Sequence, residues 1–379
     1  MDLTASGVRA SSVARPGTGL LPAGTVLGGS LLSLVGLTWD IQWHSDVGPD
    51  TFFTLPHLFL YSGSAVVGLA SLAVVLLTTA ARRAGRPVDP RIGGRVVNVF
   101  GRTFAAPLGY LFSGVGAATF LLYGLWDQWW HGLYGFDAVI DSPPHIGLLL
   151  SITLSLIGTT AVFAAAREHR WGRIGTLGSL AVLLSFGPVL MLGLQQVPDD
   201  LADPVSVGTA MLSVLLLATA AGFVRRQGGA LALAAAVAAL QALFWWFSPW
   251  ASTTYADLVG LPLRDKISGV AQMPSLVPMT LIVAALIMEG LYLLGRRRGW
   301  RVGRVSVVAG GIGAALIALS LPVQQAWLYS GAHVPPADYL AVTTVLGAAV
   351  GLLGGFAGWR FGGMLCLLAP AKKEANADA

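Results

Sequence analysis

The sequence predicts an all-α fold, a polytopic membrane helix bundle of about ten transmembrane helices with a duplicated helix-hairpin unit. Three observations predict it. The 379 residues are 55% apolar and 11% charged, with mean hydropathy +0.72, far from the roughly one-quarter charged residues of a soluble domain. Apolar stretches recur along the chain at the length a helix needs to cross a bilayer, about 20 residues. Almost all Lys and Arg fall on one set of connections. The composition excludes disorder, collagen-like fibre and a disulfide-stapled secreted module, while its 48 glycines and 20 prolines are tolerated in membrane helices.

Taken in order, residues 1–19 read as a weakly basic cytoplasmic tail (Arg9, Arg15) with no cleavable signal expected. Ten apolar stretches follow, at 20–40, 56–80, 104–126, 145–166, 174–196, 205–224, 229–248, 275–295, 305–328 and 339–359. The first four form a unit over residues 20–167, made of two hairpins at 20–80 and 104–167. Residues 168–370 read as a six-helix membrane bundle and 371–379 as a second cytoplasmic tail.

The charges set the orientation. All 23 Lys and Arg except Arg264 and Lys266 lie on the tails or the even-numbered connections, so the positive-inside rule places both termini in the cytoplasm. Acids gather on the opposite face, among them Asp40, Asp50, Asp127, Asp137, Asp199 and Asp257. The pI near 9.6 therefore reports topology in a cell membrane and not a nucleic-acid partner. The partner expected first is the lipid bilayer, followed by other membrane subunits or a second copy of the chain. An acidic outer rim attracts cations, metal ions included.

That outer face carries an internal repeat. Residues 39–57 read WDIQWHSDVGPDTFFTLPH and residues 126–145 read WDQWWHGLYGFDAVIDSPPH. With one insertion, Trp39, Asp40, Trp43, His44, Gly48, Asp50, Pro56 and His57 coincide with Trp126, Asp127, Trp130, His131, Gly135, Asp137, Pro144 and His145. Each copy joins an odd-numbered helix to the next, so the repeating unit is a hairpin and both copies share one orientation.

The spacing has a chemical consequence. Asp40 and His44, like Asp127 and His131, are four residues apart, which puts carboxylate and imidazole one turn apart on one helix face. His57 and His145 each follow a proline suited to the first turn of the returning helix. An antiparallel neighbour brings them back beside the first two groups. One carboxylate and two imidazoles suit a first-row transition metal with open positions, and the set fits Fe(II), Cu or Zn. Cys366 is the only cysteine, so any metal is held by N and O ligands. Asp50 and Asp137 are candidates to orient a ligating imidazole, and Trp43 and Trp130 to shield the centre. The tryptophans also suit the interfacial aromatic belt.

The first copy reads Asp, three residues, His, twelve residues, His. With Trp43, the Asp50-Thr51 pair, Phe53-Thr54, Pro56 and Tyr61 around those positions, it resembles the metal motif in the C subunit of the copper membrane monooxygenases. That family includes particulate methane monooxygenase and ammonia monooxygenase. The resemblance implies that Asp40, His44 and His57 bind copper within the membrane near its outer face. It carries the same implication to Asp127, His131 and His145, whose second gap is one residue longer, and it implies a redox or oxygenase role. The residues themselves also allow a membrane transporter or metal-handling protein that captures cations at its outer face.

Elsewhere the signals are sparser. Glu289 is the one acid well inside a span, a place where carboxylates are costly. Gln195-Gln196 and Gln324-Gln325 lie near the outer ends of two spans, suited to lining a polar cavity or to bonding between helices.

Overall fold

Ten helices in the computed structural model are long and apolar enough to cross a membrane, and the structure describes residues 19–48, 50–135 and 142–370. Both expected tails, apart from Gly19 at the end of the first, lie outside the described residues. The chain is an all-α polytopic bundle.

The first hairpin is α1 (Leu20–Asp46) and α2 (Leu55–Arg83), and the second is α3 (Leu108–Tyr134) and α4 (Pro143–Ala165). Both close in the same way. α1 stops where Gly48 takes φ +101°, with the Val47 and Gly48 amides returning to the Trp43 carbonyl. α3 stops where Gly135 takes φ +86°, its amide bonded to the His131 carbonyl. A left-handed residue after the last turn is what glycine supplies at a helix C-terminus, which accounts for one of the eight repeated identities. Prolines then open α2 and α4, where the missing N–H costs nothing.

Small residues bring each pair of helices close. A Cβ on Gly36 would lie 2.4 Å from the Leu60 amide nitrogen, and one on Gly116 2.4 Å from that of Ser155. Hydroxyls tie the same crossings: Ser33 donates to the Leu60 carbonyl at 3.0 Å and Ser113 to the Ser155 carbonyl at 3.1 Å. Close packing and interhelical hydrogen bonds are what associate helices in a solvent as apolar as they are.

The connection between the hairpins is β1 (Val96–Val99) paired antiparallel with β2 (Phe104–Pro107), Val96 opposite Pro107 and Val99 opposite Phe104. The third span therefore begins at Leu108, not at 104 as expected. The Ala105 amide bonds to Thr79 Oγ1 at 2.9 Å, which holds the strand against α2.

Beyond α4 come α5 (Arg170–Met191, continued by a 3₁₀ turn to Gln196), α6 (Pro204–Val224) and α7 (Gly229–Val259). The chain ends with α8 (Gln272–Leu276), α9 (Leu281–Arg297), α10 (Val302–Leu328) and α11 (Ala337–Leu365). α7 runs through Pro249 to Val259, well past the expected end at 248. Its last turns remain helical because Tyr255 docks on Trp39 and Trp43 of α1. Hydropathy cannot register such a contact.

α8 and α9 form one broken span, and side chains satisfy the freed backbone. Gln324 donates to the carbonyls of Ser275 (2.7 Å) and Val277 (3.1 Å) and accepts from the Met279 amide (2.8 Å). Gln325 donates to Ser275 as well, at 2.8 Å. Unpaired backbone at membrane depth needs such partners, so this glutamine pair bonds between helices. Glu289 accepts from the Ala230 amide at 2.9 Å, meeting one of the free donors in the first turn of α7.

One apolar cluster holds the bundle together. It joins Leu34 of α1 and Leu156 of α4 to Leu180 of α5, Leu217 of α6, Met288 of α9 and Ile317 of α10. The two sequence units thus share a core.

Candidate metal centre

The last two turns of α1 carry Asp40 and His44 on one face, as their spacing requires. The turn after Gly48 folds Asp50 back under them, and the first turn of α2 presents His57. His57 Nε2 lies 3.0 Å from Asp40 Oδ1 and 3.4 Å from Asp50 Oδ2. His44 Nε2 lies 3.0 Å from Asp50 Oδ2 and 3.9 Å from Asp40 Oδ1. One ligand atom from each of the four residues falls within 4.8 Å of all the others.

The second hairpin repeats the arrangement. Asp127 and His131 come from the end of α3 and His145 from the start of α4. His131 Nε2 and His145 Nε2 each lie 3.4 Å from an Asp127 oxygen, and the three ligand atoms meet the same 4.8 Å limit. Asp137, the sister of Asp50, lies outside the described residues.

The donor chemistry fits a cation. His57 Nδ1 is 2.9 Å from the Thr51 carbonyl and His131 Nδ1 is 3.0 Å from the Gly135 carbonyl. A carbonyl accepts only, so each Nδ1 carries a proton and Nε2 is the nitrogen turned toward the carboxylates, a lone-pair donor whenever the ring is neutral. Asp40 Oδ1, Asp50 Oδ1 and Oδ2, and Asp127 Oδ1 are buried, and imidazole nitrogens are what face Asp40 Oδ1, Asp50 Oδ2 and Asp127 Oδ1. Buried carboxylates gathered on imidazole lone pairs repel one another unless a positive charge sits among them, whether a metal ion or protons on the rings. The backbone bond on the far side of the ring is the usual way to orient a ligating histidine.

Both groups open on one cavity of about 370 Å³, lined by Asp40, His44, Asp50 and His57 from one hairpin and by Asp127, His131 and His145 from the other. Tyr61 stands between them, its phenol within electrostatic reach of Asp40, Asp50 and Asp127. It stacks on Phe52 (ring centroids 4.8 Å apart) and approaches His57 and Phe120 at 5.9 and 6.0 Å. Leu37, Leu60, Leu148, Ile152 and Phe186 form the rest of an apolar wall. The ligand sets are separate, with no residue in common.

Four positions differ from the sequence reading or were missed by it. Asp50 lies among the ligand atoms of the first group, touching both imidazoles on the Nε2 side, and so is not behind a ring as an orienting partner. Trp43 does not line the cavity. It is turned about 100° from His44, one residue further along the helix, and packs on Tyr255 of α7. Trp130 likewise packs on Trp126 and Tyr134, away from the cavity wall. Arg264, from the loop between α7 and α8, reaches the cavity; the sequence marks it as one of two basic residues on the outer side but gives no local signal that ties it to the site.

No protein-family model matches the chain, and comparison with curated proteins and with solved structures finds no match either.

Proposed function

We propose that this chain is an integral membrane copper protein, related in its site to the C subunits of the copper membrane monooxygenases, with a redox or oxygenase role. The observation that carries the reading is the pair of Asp/His groups facing a single cavity whose remaining wall, Tyr61 and Arg264 apart, is apolar. A protein that merely stores or captures ions has no need of that wall. A small molecule with an apolar part, held beside two metal positions, does need it, because most ligand sites bind by apolar lining with a few placed polar groups.

In the first group Asp40, Asp50, His44 and His57 would hold one ion; in the second Asp127, His131 and His145 would hold another. Copper, when bound, supplies one-electron redox chemistry with ligand positions open to an external molecule. The chain's residues do the rest. Thr51 and the Gly135 carbonyl fix the ring tautomers, the carboxylates offset the charge of the ions, and Phe120, Leu60 and Ile152 keep water from the inner part of the cavity. By the charge distribution the motif end is the extracytoplasmic one.

The test is metal content. Purified in detergent, the wild-type protein should retain stoichiometric copper with a Cu(II) EPR signal from nitrogen ligands. Asp40→Ala, His44→Ala and His131→Ala should each lose metal, and undiminished content in all three would remove the proposal. Metal-dependent ion flux in liposomes would move the role to transport, a path the structure equips poorly: Glu289, the one mid-span acid, is occupied at the end of α7.

A further inference from the structure

We infer that Arg264 makes this cavity a receptor for small amphiphilic monoanions, short-chain carboxylates in kind, with the head group at the guanidinium and the tail against the apolar wall. This rests on the metal reading above and names the ligand class of the same site.

Arg264 is the one lysine or arginine lining the cavity. The loop that carries it is anchored, since the Arg264 amide bonds to the Asp46 carbonyl at the end of α1, 2.8 Å away. The guanidinium lies directly on Gly48: a Cβ there would meet an Nη at 2.4 Å, Nε at 2.9 Å and Cζ at 3.0 Å. The repeated glycine is therefore needed twice, for its φ of +101° and for the space the guanidinium fills. The side chain thus sits where the first metal group opens to its surroundings.

Its charge is uncommitted. Among the described residues Arg264 forms no ion pair, although Asp50 is two residues from Gly48. An arginine placed at a cavity mouth with its planar fork of donors unused matches a carboxylate bidentately. The charge balance admits an anion, and the single guanidinium suits one with a single charged head. Two divalent ions against Asp40, Asp50 and Asp127 leave a surplus of one positive charge, to which Arg264 adds one more. Without metal the same cavity is acidic and repels anions. A doubly charged phosphate would face the three carboxylates at close range, whereas one carboxylate head is met by one guanidinium.

The other end of the ligand is set by the wall. Leu37, Leu60, Phe120, Leu148, Ile152 and Phe186 offer no polar side chain, so a methylene chain gains by burial there, about 0.8 kcal/mol for each CH₂ taken from water. Head and tail recognition together favour hexanoate over both acetate, which lacks the tail, and hexanol, which lacks the charge.

The experiment is a calorimetric titration of copper-loaded protein in nanodiscs with acetate, hexanoate and hexanol, paired with metal analysis of every sample. Hexanoate should bind most tightly. Arg264→Ala should weaken hexanoate by about tenfold or more, as loss of a charge-assisted bidentate contact does, with copper content unchanged; Arg264→Lys should keep part of the affinity. Equal hexanoate affinity in wild type and Arg264→Ala, or hexanol bound as tightly as hexanoate, would overturn the inference while leaving the metal reading intact. Absence of copper from the wild-type protein would remove the ground from both.

Discussion

His57 and Thr51 are coupled across the turn that joins the first two helices: the imidazole Nδ1–H is donated to the Thr51 carbonyl at 2.9 Å. That bond presents Nε2 to Asp40 and Asp50 at 3.0 and 3.4 Å. The second hairpin does the same with a different ring, the first histidine instead of the second, through the His131 bond to the Gly135 carbonyl. In both hairpins the backbone of the connecting turn decides which nitrogen is free to bind.

Because the two ligand sets share no residue, metal should be lost one ion at a time. His57→Ala is expected to remove the first ion and keep the second, and Asp127→Ala the reverse. Only the double variant should be empty. Metal analysis of the three proteins checks this, and a single substitution that empties both positions would show that one ion spans the two groups.

In the proposed centres protons would compete with a metal ion for the same imidazole nitrogens. Ordinary histidines protonate near pH ~6.5, and a ring protonated on both nitrogens has no lone pair to give. Bound metal should therefore be complete in mild alkali and decline as pH falls through the range where the rings take up protons. A metal-binding titration between pH 8 and 5 measures it. Occupancy that rises on acidification would contradict imidazole ligation.

The repeat made most of the site readable, because an i, i+4 pair on a helix and a proline-led return are local geometry. Asp40–His44 and Asp127–His131 needed only helical phase, and His57 and His145 needed only antiparallel neighbours. Asp50 was visible as a residue but not as a member of the Asp40–His44–His57 cluster, since its direction depends on the turn that Gly48 makes. Arg264 lies more than two hundred residues from His57 in sequence and reaches the site by a fold-level contact that no local pattern encodes. The same limit explains the helical extension of α7, where Tyr255 gains its partners from α1, and the strand pairing at 104–107. Hydropathy found the ten spans because the bilayer imposes their length. It could not find the break between α8 and α9, where Gln324 acts from another helix.

Gly48→Ala should harm both the turn and the cavity mouth. A left-handed backbone costs a non-glycine residue about 1–2 kcal/mol, and the new methyl would collide with the Arg264 guanidinium. Thermal unfolding in detergent should fall by a few degrees, with weakened retention of the first metal ion. Gly132, on α3 and open to its surroundings, is the control: Gly132→Ala should be neutral or slightly stabilising, since alanine is the better helix former. Equal effects at the two positions would mean that the Gly48 turn is not what holds the loop.

Gln324→Leu tests the broken span. The side chain is 7% exposed and meets three backbone groups, the Ser275 and Val277 carbonyls and the Met279 amide. Leucine has similar bulk but no donor or acceptor, so it leaves these groups dependent on whatever partners remain. Ser275 retains Gln325, and Val277 retains Gln241 at 3.1 Å. The Met279 amide has no such second bond among the described residues. With one group stranded and two weakened, the expected loss is about 2–3 kcal/mol, the upper part of the roughly 1–3 kcal/mol range for leaving a buried polar group unsatisfied. Val323→Leu, one residue earlier and 37% exposed, should change little. Unfolding in detergent compares the two variants. Hydrogen exchange should add a local signature, with faster exchange at the Met279 amide, which loses its acceptor in Gln324→Leu alone. If that amide stays protected in the leucine variant, the break is held by packing and not by the glutamine.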